Sequence, residues 1–215
     1  MKASSAGLLD DLCRRVPALA PCRGDMDKAC EVLIGCARAG GTILACGNGG
    51  SAADAEHIVG ELMNRYRLCR PIPQAHAQKL QSAAGSDAAG LVAHLQQSIR
   101  AISLVSQTAL TTAVANDASA EMVFAQQVYG YGREGDALIA ISTSGNARNV
   151  ICALHAAKLR GMRVVGLTGS KGGTMRGLCD VALCVPADVT FQVQELHEPL
   201  YHGICAVLEN EMFGR

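Results

Sequence analysis

The stretch Thr42-Ile43-Leu44-Ala45-Cys46-Gly47-Asn48-Gly49-Gly50-Ser51 passes from a short apolar run into a glycine-rich polar loop. A run of this length bounded by Gly40-Gly41 and Gly47 reads as a buried strand, Thr42 to Cys46. Ser51 then opens a helix that continues to about Tyr66. The same layout recurs at Asp136 to Ser142, a strand that runs into Ser142-Thr143-Ser144-Gly145-Asn146 and a helix from Asn146 to Arg160. Strand, polar loop and helix in that order are the unit of a parallel α/β sheet.

The rest of the chain fits around those two units. Leu8, Leu9, Leu12 and Val16 recur at helical spacing from Ser5 to Val16, where Pro17 ends or kinks the helix. A second helix spans about Asp25 to Ala39, with Met26, Cys30, Leu33 and Ala37 on one stripe. Further strands are read at Ala101 to Val105, Arg163 to Leu167 and Asp180 to Val185. Helices are read at Leu110 to Ala115, Ala120 to Gln127, near Thr174, and from Thr190 to Phe213. Five short apolar strands separated by helices predict a doubly wound parallel sheet of three layers, with ligands at the carboxyl ends of the strands. Residues 69–100 differ in texture. Pro71 and Pro73 break structure there, and Ala/Gln-rich stretches around Gly85 and Gly90 read as two short helices. Nothing divides the 215 residues, so one domain is expected, with N-terminal helices over 1–39 and a helical insertion over 69–100.

Composition removes several classes of function. Nineteen basic residues balance nineteen acidic ones without a basic block, so no footprint for nucleic acid or anionic membrane is present. No apolar run approaches the roughly 20 residues of a membrane span. Met1 to Asp10 lacks the layout of a secretory signal, which predicts a cytoplasmic protein. The ten cysteines have no C-x-x-C pair, and Cys30, Cys36, Cys46, Cys152, Cys184 and Cys205 lie in apolar periodic segments. They read as reduced core thiols rather than disulfides or a thiolate metal site.

The two polar loops carry the chemistry. Each precedes a helix, whose N-terminus offers unpaired N–H groups and partial positive charge to an anion. Ser, Thr and Asn are also ordinary helix caps, so one such loop would say little. Two on one sheet, the second with three successive hydroxyls, point to a phosphate. Neither has the G-x-x-x-x-G-K-[ST] or dinucleotide spacing, which favours a small phosphate ester over a nucleotide.

Gly47-Asn48-Gly49-Gly50-Ser51-Ala52-Ala53-Asp54-Ala55-Glu56-His57, with Glu61 one turn on, resembles the first signature of the phosphoheptose isomerases within the sugar isomerase (SIS) domain superfamily. Ala115-Asn116-Asp117, the Gly132 to Asp136 and Ile141 to Asn146 stretches, Leu167-Thr168-Gly169 with Gly172-Gly173, and Gln194-Glu195-Leu196-His197 with His202 extend the likeness in order. The resemblance implies a flavodoxin-like sheet and a homotetramer with active sites near subunit interfaces. It implies interconversion of sedoheptulose 7-phosphate and a heptose 7-phosphate with a divalent metal, usually zinc. The matching ligands are His57, Glu61, Gln194 and His202. Ser51, Ser142, Thr143 and Ser144 match phosphate contacts. Asn48, Arg65 and Asp117 match the rest of the pocket, and Gly49, Gly50, Asn116, Asn146 and Gln194 complete the expected substrate-binding set.

Helical geometry agrees with that ligand set in part. His57 and Glu61 are i, i+4, about 40° apart around the axis, while Gln194 and His202 lie two turns apart and about 80° offset. His76, His94 and His155 have no partners at metal spacing, and His197 reads as structural. Moving a proton between C1 and C2 through a cis-enediol(ate) needs a carbon base and an acid/base partner, and Glu61 and His202 are the candidates. The superfamily also includes non-catalytic adaptors and phosphosugar-sensing domains, an adaptor lacking residues that match Glu61 and His202. Three features depart from the commoner family pattern. Ala147 replaces a phosphate-contacting Ser, Pro199 falls inside the last helix, and the 69–100 segment is longer than its counterpart. That insertion is expected as a flap near the pocket or a subunit contact.

Overall fold

The computed structural model describes residues 1–214. Five strands form one parallel sheet in the order β2-β1-β3-β4-β5. They are β1 (Ile43–Cys46), β2 (Ala101–Ser103), β3 (Ala137–Ile141), β4 (Arg163–Thr168) and β5 (Val181–Cys184). β1 and β3 are buried at every position, as strands covered on both faces must be. The order reverses between β1 and β3, which is the flavodoxin-like switch point where such sheets bind ligands.

One face is covered by α1 (Ala3–Arg15), α2 (Arg23–Arg38), α3 (Gly50–Met63) and α9 (Thr190–Phe213). Leu9, Leu12, Met26, Leu33, Ile58, Leu62, Ile204 and Leu208 pack there against Ile43, Ile139 and Val165. The other face is covered by α6 (Thr108–Asp117), α7 (Val123–Tyr131) and α8 (Arg148–Leu159), packed on Leu44, Leu138 and Val164. Among the described residues no helix is long and apolar enough to cross a membrane. All ten cysteines are free. Burial pushes the Cys46 thiol up to about 12, while Cys152 and Cys184 are only half-buried and Cys69 is exposed.

Several boundaries differ from the sequence reading, for identifiable reasons. α1 stops at Arg15 because Pro17 begins a 3₁₀ segment, Pro17–Cys22. α9 runs unbroken through Pro199. α3 ends at Met63, not at Tyr66, because other groups take over its last partners. Arg70 donates to the carbonyls of Glu61 and Leu62, each at 3.0 Å, and Ser98 Oγ donates to that of Met63. The N–H groups of Tyr66 and Arg67 turn instead to the Glu209 carboxylate, at 2.9 and 2.8 Å.

The insertion holds two helices, α4 (Gln74–Ala83) and α5 (Ala88–His94), joined by a 3₁₀ turn at Gly85–Asp87. They pack chiefly on each other, and α4 buries none of its residues. Their base is tied down. Arg70 N–H donates to Gln96 Oε1 at 2.7 Å, and Gln97 N–H donates to the Arg70 carbonyl at 2.7 Å. None of its residues lines the cleft described below, while Arg70 at its base meets the carbonyl end of the helix that carries Glu61.

Candidate active site

A cleft of about 380 Å³ opens at the carboxyl ends of β1 and β3. It is lined by Asn48, Gly49, Gly50, Ser51, Ser142, Thr143, Ser144 and Ala147, with Thr190 and Gln194 of α9 closing one side. Glycine is required at two places in its walls. A Cβ at Gly47 would strike the carbonyl of Ser51, so this residue permits the tight turn into α3. Gly145 has φ +67° and packs on the carbonyl of Gly172, which lets the hydroxyl loop turn back before α8. Asn48 and Asn149 exchange two side-chain hydrogen bonds of 2.9 Å, locking the first loop onto α8. The N–H groups starting α3 and α8 surround the cleft with positive potential. Ser142 Oγ accepts from the Ala147 N–H at 3.5 Å, which leaves its own proton free for a ligand oxygen.

Four residues expected to contact the substrate lie elsewhere in this chain. Asn146 Oδ1 accepts from both the N–H and hydroxyl of Thr174 at 2.9 Å, and its Nδ2 donates to the Ser144 carbonyl. Its side chain is thus committed to a loop-to-loop tie and does not line the cleft. Asn116 and Asp117 stand at the far end of α6, exposed and bonded to each other at 2.8 Å. Asp117 borders a separate groove with Val114, Met122 and Tyr129. Arg65 is exposed just past the end of α3.

α9 leads from the cleft to a second group of side chains. The Gln194 amide packs on Gly50, two turns before His57 on α3, at a distance that leaves no room for a Cβ there. One and two turns later on α9 come Glu198 and His202. His202 Nε2 lies 3.3 Å from His57 Nε2, and Glu61 Oε1 lies 3.2 Å from the same atom. Ligand atoms of His57, Glu198 and His202 all fall within 4.8 Å of one another. Two imidazoles that share a tetrahedral zinc at about 2.0–2.1 Å place their nitrogens about 3.3–3.4 Å apart, so the observed pair has the spacing a shared cation requires. The residues present therefore fit a divalent metal. Burial and the neighbouring His57 hold His202 below the usual imidazole range, which keeps it a neutral donor. Tyr66 stacks on the His202 ring at 5.7 Å between centroids.

The resemblance grouped Gln194 with His57, Glu61 and His202 as ligands; here the Gln194 amide packs on Gly50 at the cleft, and sequence reasoning missed Glu198, which lies with His57 and His202. The missing signal was the run 194, 198, 202, in which Glu198 bridges the 80° offset between the outer two in steps of about 40°. Tyr201 and Asn149 were missed as well, because their partners are distant in sequence. His197 is fully buried, bonds the Thr168 carbonyl through Nε2 at 3.3 Å, and is pushed down by burial to about 4. It is a neutral structural histidine.

The comparisons with known proteins agree on one family. A SIS domain model matches residues 17–101 and 74–169. The phosphoheptose isomerase of Akkermansia muciniphila is 37% identical over 197 residues, covering 92% of this chain and 90% of its own. That of Shewanella baltica is 41% identical over 189 residues, covering 86% and 83%. The solved phosphoheptose isomerase of Neisseria gonorrhoeae superposes with a TM-score of 0.71 at 34% identity, over 97% of this chain and 94% of its own. With a sheet whose switch point opens into a hydroxyl-lined cleft, and a histidine cluster further along α9, the chain belongs to the phosphoheptose isomerase family of SIS-domain enzymes.

Proposed function

We propose that the chain interconverts sedoheptulose 7-phosphate and D-glycero-D-manno-heptose 7-phosphate through a cis-enediol(ate). The observation that carries this reading is the arrangement along α9. Gln194 borders the hydroxyl-lined cleft, and His202, about 12 Å further along the axis, meets His57 and Glu61. A phosphate gripped in the cleft leaves the other end of a long sugar phosphate at the histidine cluster.

The roles follow from the side chains. Ser51, Ser142, Thr143 and Ser144 donate to the phosphate, with Asn48, Gly49 and Gly50 against the sugar. Glu61 takes a proton from C1 of the ketose while O2 gains one, leaving the enediol. Return of the carbon-bound proton to C2 and loss of the O1 proton complete the aldose. His202 moves the oxygen protons. A zinc ion or another divalent metal held by His57 and His202 would supply a Lewis acid for the carbonyl oxygen. Glu198 offers such an ion a carboxylate, which leaves Glu61 free as the base. On the same reading the chain is a homotetramer with its sites near subunit interfaces. Asn116, Asp117 and Arg65, exposed in one subunit, are then available to a neighbour's pocket.

The experiment supplies sedoheptulose 7-phosphate with zinc and follows the aldose. Glu61→Gln should cut kcat by roughly 10²–10⁴-fold with little change in KM. Near-normal turnover in that variant would remove Glu61 as base. Binding without turnover by the wild-type protein would turn the reading toward a non-catalytic phosphosugar sensor.

A further inference from the structure

We propose that the pocket between α1, α9 and the turn after α3 is a second anion site, separate from the hydroxyl-lined cleft and suited to a phosphate group. It stands apart from the isomerase reading, and neither depends on the other.

This pocket encloses about 380 Å³ and shares no lining residue with the cleft. Gly203 and Ala206, one turn apart on α9, lie at one side, and Asp11, Arg15, Tyr66, Arg67 and His202 line the rest. Gly203 lets α1 come close, since a Cβ there would lie 2.6 Å from a methyl of buried Leu12. The walls are held from behind. Buried Glu209 accepts the backbone N–H groups of both Tyr66 and Arg67, and the Tyr66 ring stacks on His202. Arg67 is therefore presented from an anchored turn rather than from a loose loop.

Charge in the pocket is unbalanced. Arg15 and Arg67 face a single carboxylate, Asp11. That carboxylate is already engaged along α1, where Oδ2 accepts from Arg15 Nε at 2.9 Å and Oδ1 meets Arg14 at 3.1 Å. Because Arg15 uses Nε for this bond, its terminal N–H groups are left for another acceptor. The Arg67 guanidinium makes no ion pair among the described residues. The hydrogen bond from Arg15 and the charges of Arg14 and Arg67 hold the Asp11 carboxyl below its usual range, so all three cations act on one anion. Three guanidiniums around one carboxylate leave two positive charges uncompensated. That balance suits a doubly charged phosphate better than a singly charged carboxylate, and a guanidinium fork fits its oxygens. A pocket of this size admits a small phosphate ester as well as the free ion.

The test follows the backbone amide signals of Gly203 and Ala206 by nitrogen–proton correlation NMR while inorganic phosphate replaces sodium chloride at constant ionic strength. A second arm adds glucitol 6-phosphate, which has no carbonyl and cannot be turned over. Both signals should shift and saturate in the wild type. Shifts with the free ion identify inorganic phosphate as a sufficient ligand, and shifts with the ester alone identify a phosphorylated metabolite; either result supports the site. The double variant Arg15→Gln, Arg67→Gln should raise the midpoint at least about tenfold, the loss of one charged hydrogen bond or more. The amides of Ser142 and Ser144 in the cleft should titrate as before. The Arg15–Asp11 pair is exposed and contributes less than about 1 kcal/mol, so the variant should keep its thermal midpoint. Arg67→Gln alone breaks no ion pair and should give part of the loss. An unchanged midpoint in the double variant, equal shifts with sodium chloride alone, or no shift with either probe overturns the proposal.

Discussion

The cleft at the ends of β1 and β3 and the cluster between α3 and α9 face the two ends of one stretch of α9, yet they are made of different material. The cleft is mainly backbone. Its grip comes from helix N-termini and short hydroxyls, and its shape comes from glycines that let the chain curl. The cluster is entirely side chains, and each long side chain must be held by something behind it. Tyr201 stands behind His57, Tyr66 stacks on His202, and Arg70 holds the end of the helix that carries Glu61. A backbone site is precise because the loop is precise. A side-chain site is only as precise as the buried layer that supports it.

The hardest blow to that support should come at Arg70. Its guanidinium is 1% exposed and meets the equally buried Glu209 at 2.7 Å, stacks on Phe213, and caps α3 through two carbonyls. Glu209 in turn gathers the N–H groups of Tyr66 and Arg67. Arg70→Met would leave a buried carboxylate without its cation, at a cost of about 3–5 kcal/mol. For a chain of this size that is roughly a 10 °C fall in Tm by calorimetry. Activity should fall with it while any surviving fold still binds phosphate ester. A variant within about 2 °C of wild type would show that the cluster does not depend on this pair.

The same contrast explains what could be read in advance. The cleft was legible because its grammar is local. Gly47 to Ser51 and Ser142 to Gly145 carry their turn, cap and anion chemistry within six residues, and the strands before them announce the sheet. In the cluster, short helical spacing pointed only to His57 and Glu61, and His202 joined them through the family resemblance. Tyr201 and Glu198 carry no local signature, since their meaning depends on how α3 and α9 cross. Asn146 misled for the opposite reason. It looks like a cap and a ligand group, but a tertiary contact, Thr174, claims its side chain. The early end of α3 was likewise set from outside, by Arg70 and Glu209, over a sequence that continues helical.

A smaller loss is expected where the cleft depends on backbone. Gly145→Ala places a Cβ at φ +67° and against the carbonyl of Gly172. Strain and clash together should cost about 2–3 kcal/mol, seen as a shift of the urea midpoint. If the comparison is right, KM should rise sharply and zinc affinity should stay as in the wild type. Damage that reached zinc binding would mean that cleft and cluster are one mechanical unit.

The mildest change removes a single donor from the cleft. Ser142 is 6% exposed at the end of β3, and its oxygen makes only a 3.5 Å contact with the Ala147 N–H. Ser142→Ala therefore leaves no buried partner stranded, and folding stability should change by less than about 0.5 kcal/mol. What it loses is one hydrogen bond to a charged phosphate, about 1.5 kcal/mol. Thr143, Ser144 and the N-terminus of α8 remain to share the charge, and Ala147 already lacks a hydroxyl. Steady-state kinetics should accordingly show KM raised about tenfold with kcat almost unchanged, because the phosphate is held alike in ground state and transition state. A fall in kcat instead would place Ser142 at the reacting end and exchange the roles assigned to the two regions.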